Sequence, residues 1–307
     1  MRVTQKTFSL ISLGLLLGGC SIEQMAINKM GDAMAGGTSV FGTDDDPELV
    51  KAAAPFSLKL VEMLLDKSPR NEGLLLAAAS GFAQYAYAFV EVEADLLEDE
   101  DLKAAFAMRE RAARLYLRGR DFGLRGLDAR YAGITADLYL GAEAALQQTS
   151  AADVPLLYWT AVAWAGAIGA SLDDPALIGQ LPLAEALVSR ALALDEDFDS
   201  GALHAVLIAL EMSRPRGVGD PVSRARRHYD RAVELSGGAH AGPYVTWAES
   251  VSVKTQNVEE FRTQLALALA VNPDGRREWR LVNRVMQSKA RWLLSRIDEL
   301  FLLPVSE

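Results

Sequence analysis

One spacing recurs down this chain and commits it to helices. A small or apolar residue is followed by a larger one four positions on, a small one three further, and an apolar one three further again. The pattern fits Ala54, Leu58, Val61 and Leu64; Ala184, Val188, Ala191 and Leu194; Ala225, Tyr229, Ala232 and Leu235; and Phe261, Leu265, Ala268 and Val271. A weaker copy runs Ala105, Arg109, Ala112 and Leu115. Steps of three and four put such residues on one face of an α-helix. Small residues there let paired helices approach closely, and each pair buries its apolar face only by stacking on a neighbour. The copies stand about 80 residues apart in mid-chain and about 40 apart later, so the repeat is degenerate with extra helices inserted. No alternating strand pattern competes, and 48 alanines against 11 prolines favour helix. The expected fold is all-α, a degenerate solenoid of helical hairpins.

Composition excludes several functions. With 307 residues, half of them hydrophobic, the chain buries a sizeable core and is not disordered. A single cysteine rules out a disulfide framework or a cysteine-rich zinc site. A formal charge of −10 lacks the basic surface that nucleic-acid binding needs. The mean hydropathy of +0.09 is high for a water-soluble chain.

The N-terminus supplies part of that hydropathy. Arg2 and Lys6 precede an apolar run from Phe8 to Leu17, then Leu17-Gly18-Gly19-Cys20. A basic start, an apolar stretch of about ten residues and a small-residue cleavage site make a secretory signal. The last four residues resemble a bacterial lipobox, so residues 1–19 are expected to be removed and Cys20 to carry the lipid. Acyl chains would then hold the protein on a membrane. Ser21, not Asp, follows the cysteine and favours the outer over the inner membrane. Removing Arg2 and Lys6 leaves 29 basic against 41 acidic residues, a mature charge of −12. Residues 20–43, rich in glycine and small residues, read as the lipidated cysteine and a tether or weak helix, and residues 44–307 as one all-helical domain.

Helix boundaries are legible beyond the tether. Asp44-Asp45-Asp46-Pro47 reads as a helix start, because the carboxylates accept free amide hydrogens and proline suits the first helical position. Turns are expected at Ser68–Asn71, Asp173–Pro175, Ser213–Pro215, Ser236–Gly238 and Asn272–Gly275. Gly73–Val90 and Val154–Leu172 contain no charge and approach bilayer-spanning length. Their central Gln84, Tyr85, Thr160 and Trp164, and an apolar content supplied largely by alanine, mark them instead as central helices wrapped by others.

The search for catalytic groups comes up empty. His204, His228 and His240 have no metal-ligand spacing, no nucleophile elbow stands near them, and no glycine-rich phosphate loop is present. No enzymatic activity, metal or cofactor is expected. His204 reads as a core residue and His228 as surface. Two other constellations stand out. Seven acids between Glu91 and Asp101 precede eight basic residues between Lys103 and Arg130. These read first as a solvated face paired at helical spacing, while Arg114, Arg118 and Arg125 are candidates to meet an acidic partner or anion. Aromatics crowd the central helices: Tyr85 and Phe89, then Tyr158, Trp159 and Trp164, then Trp247. These are candidates to line a cavity for a small organic ligand.

The ordered motifs carry a resemblance. Ala270-Val271-Asn272-Pro273-Asp274 ends much like the second helix of a tetratricopeptide repeat. Ser80–Val90, Arg114–Leu127, Leu157–Trp164 and Tyr229–Ala232 with its Ser236-Gly237-Gly238 turn resemble the T-component family of tripartite ATP-independent periplasmic (TRAP) transporters across most of residues 44–301. The resemblance implies a periplasmic, tetratricopeptide-like lipoprotein without catalysis. It also implies association with the TRAP solute-binding protein, and a homo-oligomer with pores or clefts for a hydrophobic ligand. A general envelope scaffold that binds proteins and no small ligand is the alternative.

Overall fold

The computed structural model describes residues 27, 29–31, 40–213 and 219–302. The signal segment 1–19, the lipidation at Cys20 and the Arg214-Pro215 part of one turn lie outside them. Every regular element among the described residues is helical. Ile27 and Lys29–Gly31 are helical, and Ile27 is buried in the main core.

The start signals act as the sequence suggests. Asp46 accepts from the amides of Glu48 and Leu49, and Pro47 opens α1, Pro47–Lys67. Asn71 caps α2, Glu72–Ala86, which runs on as a π-helical turn, Tyr87–Glu91, and then α3, Val92–Leu97. Asp101 caps the long α4, Leu102–Arg130. α5 is Ile134–Leu146, and α6, Val154–Gly169, follows a short 3-10 turn. Asp174 caps α7, Pro175–Ile178; α8 is Leu181–Leu194 and α9 is Ala202–Ser213. α10, Pro221–Ser236, ends where Gly237 turns left-handed at φ 59° and Gly238 N donates to Val233 O at 2.9 Å. α11, Gly242–Trp247, runs into a second π-helical turn, Ala248–Ser252, followed by α12, Val258–Ala270. α13, Arg280–Ser295, and α14, Ile297–Leu300, close the chain.

The recurrent spacing marks the buried faces of five helices. Ala54, Leu58 and Val61 on α1, Ala105 and Ala112 on α4, Ala184, Val188 and Ala191 on α8, Ala225, Tyr229 and Ala232 on α10, and Phe261, Leu265 and Ala268 on α12 are all buried. The charge-free stretches are central, as expected. α4 is packed between α2 and α6, and α6 packs in turn on α8. Three helical stretches, 72–97, 151–169 and 175–194, are long and apolar enough to cross a membrane by length and composition alone.

Glycines set the closest approaches. A Cβ on Gly123 would fall 2.1 Å from Thr160 Oγ1, and one on Gly166 would fall 2.6 Å from the Tyr116 ring. α4 and α6 therefore meet backbone to side chain, with no room for a methyl group. Apolar burial divides into two clusters: a large one from α1 to α9, and a second built from α10 to α14 with Ile208. α13 spans them by returning to the N-terminal elements. Leu281 N donates to Gly42 O at 3.1 Å, Arg280 reaches Thr43 O at 3.2 Å, and Arg296 pairs with Asp99.

Candidate functional site

The aromatic candidates fall into separate groups. Tyr85 and Phe89 are buried neighbours with ring centres 5.8 Å apart. Tyr158 is buried against Phe198 at 5.3 Å and meets half-buried Trp159 edge-on at 4.9 Å. Trp164 is fully buried; its Nε1 donates to Gln180 Oε1 at 3.0 Å and Arg120 lies over its ring. Trp247 belongs to the second cluster, packed on Tyr229 at 5.0 Å under the Arg226 guanidinium. Of the six, Trp159 alone is not buried. A depression of about 490 Å³ between α5 and α8 is lined by Gly141, Ala142, Glu143, Ala144, Pro182 and Ala186, none of them a candidate.

The basic segment pairs between helices more than along one. Arg118 binds Glu62 of α1 and covers the Phe82 ring of α2 at 5.0 Å. Arg125 donates to Pro69 O at 3.3 Å and lies over Phe122. Arg109 holds Asp95 and Glu98, both at 3.0 Å, and Arg130 bridges Glu72 and Asp153. Only Arg114 keeps the helical-spacing partner expected of a solvated face, Glu110 at 3.9 Å, and its side chain is more exposed than that of Arg118. Arg118 and Arg125 thus tie α4 to α1 and its following turn, whereas the pairing of Arg114 stays within its own helix.

A buried polar seam went unseen in the sequence. Lys289 Nζ of α13 donates to Asp95 Oδ2 at 2.7 Å and pairs with Glu249 at 3.0 Å. Burial alone would lower this ammonium, but Glu249, Tyr87 and Asp95 carry it well above its ordinary range. Both π-helical turns feed the seam, the first with Tyr87 and Glu91 and the second with Glu249. Burial raises the Glu91 carboxyl, opposed by the hydroxyl that Tyr116 donates to it. Tyr87 donates to Met286 Sδ at 3.5 Å, and burial raises its phenol. Asp95 lay within an acidic run that reads as solvated, and Lys289 is one base of an amphipathic helix. No periodicity marks either as interior.

The histidines also differ from expectation. His204 is buried as expected, but its Nδ1 stands 2.9 Å from His228 Nδ1, and its Nε2 stands 3.2 Å from Glu196. Burial lowers His204, partly offset by Glu196. His228 is therefore half of an interhelical pair between α9 and α10. His240 packs on Trp279 elsewhere. No group of three or more metal-ligating side chains forms among the described residues.

Two comparisons bear on this arrangement. A family model described as TRAP transporter T-component matches residues 43–301. A protein of Treponema pallidum (strain Nichols), described as uncharacterized, is 27% identical over 306 residues, covering 94% of this chain and 95% of that relative.

Proposed function

This chain belongs to the TRAP transporter T-component family, and from that membership we propose that it serves its transport system as a lipid-anchored periplasmic adaptor that docks the solute-binding protein. The family match over residues 43–301, nearly the whole helical body, carries the reading. Association with a TRAP system and a place in the cell envelope follow from the family. The lipid on Cys20, the outer-membrane preference, the homo-oligomer and the absence of catalysis belong to the proposal. So does passage of a small organic ligand, for which Tyr158 and half-buried Trp159 are the best-placed aromatics.

Native mass spectrometry of the delipidated protein with the system's solute-binding protein tests it. A complex of the two supports the adaptor; two separate species overturn it. Retained small-molecule mass in that complex supports ligand passage. Replacing Cys20 with serine is expected to release the protein from membranes, and continued membrane retention would contradict the anchor. The scaffold reading without a small ligand has its own support, since five of the six aromatic candidates are closed into cores.

A further inference from the structure

The outward face of α1 is the observation that neither packing nor the adaptor role absorbs. Leu49, Ala52, Phe56, Leu60 and Met63 lie on one line of the helix at the 3.6-residue period, and all are exposed, Phe56 at 74% and Met63 at 64%. Lys67 ends the same line. Glu48, Glu62 and Asp66 fall together on another line, about 100° round the helix. Lys59, between the two lines, is matched by Glu62 at 2.8 Å. The apolar line is thus free of acids and finishes on a cation.

We propose that this line is a membrane-docking surface, lying in the headgroup region of the bilayer that holds Cys20. The proposal rests on the lipoprotein reading above and adds to it a second, non-covalent contact. Chain length provides the argument. Ile27 is buried in the main core, and a Cβ on Gly31 would fall 2.3 Å from Asn71 Oδ1, so this segment sits beside the turn that follows α1. The seven residues from Cys20 to Ile27 span at most about 25 Å even when fully extended. A lipid on Cys20 would therefore keep the Met63–Lys67 end of α1 close to the bilayer, with the cation nearest anionic headgroups. An apolar line with charge along one side suits an interfacial helix.

The single cysteine makes the test clean, because its thiol is consumed by the lipid. Phe56→Cys, Met63→Cys and, as an exposed control on α12, Thr263→Cys are each labelled with an environment-sensitive fluorophore in the full-length lipidated protein. The proteins are reconstituted into phosphatidylethanolamine–phosphatidylglycerol vesicles, with and without brominated lipid. The expected result is blue-shifted emission at 56 and 63 that loses intensity with brominated lipid, and neither effect at 263. Water-like emission at 56 and 63 on protein that floats with the vesicles overturns the docking surface and leaves the anchor standing. A blue shift without bromine quenching assigns the line to a second copy or another protein and also overturns it. Failure to float with vesicles at all removes the anchor, and the docking surface with it.

Discussion

Lys289 and Asp95, 194 positions apart in sequence, meet at 2.7 Å in the interior and join the last long helix to the segment after α2. Asp95 also accepts from Arg109 at 3.0 Å, so one carboxylate ties α13, α3 and α4 together. Removing one member of a buried pair leaves a charge without its partner, which costs about 3–5 kcal/mol. Lys289→Ala is therefore expected to lose about 3 kcal/mol in urea unfolding, at the low end because Arg109 remains on Asp95. Lys289→Met combined with Asp95→Asn should lose less than the sum of the two single changes. Additive losses would show that the two residues do not act as a pair.

Gly123 faces Thr160 with no space for a methyl group. Gly123→Ala gains helix propensity but overpacks the α4–α6 contact, and overpacking costs about 1–3 kcal/mol. A net loss of about 1–2 kcal/mol is expected. Gly169→Ala, with nothing within 4 Å of the new carbon, is the control and should be neutral or slightly stabilising. Equal melting temperatures for the two variants would remove the close-approach explanation.

Trp164 and Trp159, on one helix, allow packing and the proposed ligand contact to be tested apart. Trp164→Ala empties a fully buried site and breaks the bond to Gln180, with an expected loss of about 3–5 kcal/mol. Trp159→Ala removes a half-buried ring, so it should cost clearly less in stability and weaken ligand retention more than docking of the solute-binding protein. Parallel loss of retention, docking and melting temperature in Trp159→Ala would make it a packing residue only.

Burial holds the His240 imidazole down to about 4 from its ordinary 6.5. Between those values the unfolded chain binds a proton that the folded chain refuses. Stability is therefore fully present above pH 6.5 and falls as pH drops towards 4, by up to about 3 kcal/mol from this group. His240→Asn, which keeps an acceptor near the Gly242 amide, should flatten the pH dependence of the urea midpoint over that window. An unchanged slope would mean that His240 protonates freely in the folded state.

Sequence spacing reveals the buried faces well and the buried charges poorly. Ala184, Val188 and Ala191 sit where their period puts them, because helix burial repeats with the backbone. Asp46, Asn71 and Asp174 cap their helices because a capping bond is made within a few residues. Lys289 and His228 follow no such local rule. Lys289 is interior because Asp95 and Glu249 arrive from distant helices, and His228 meets His204 because α9 and α10 fold together. The aromatics were legible as clusters but not in their depth: Trp159 and Trp164 sit five positions apart on one helix, and only the surrounding helices decide which is sealed.

The return of α13 to Gly42 and Thr43 has a consequence for how this array can change. Where a row of hairpins has free ends, repeats can be added at either end and the row flexes like a spring. Here the last long helix is fastened to the approach to the first, so each end serves as the other's lid. A shift at either end is then felt at the other. A hairpin gained or lost during evolution must be accommodated by every joint in the array, which favours lengthening within a turn over adding units at an end.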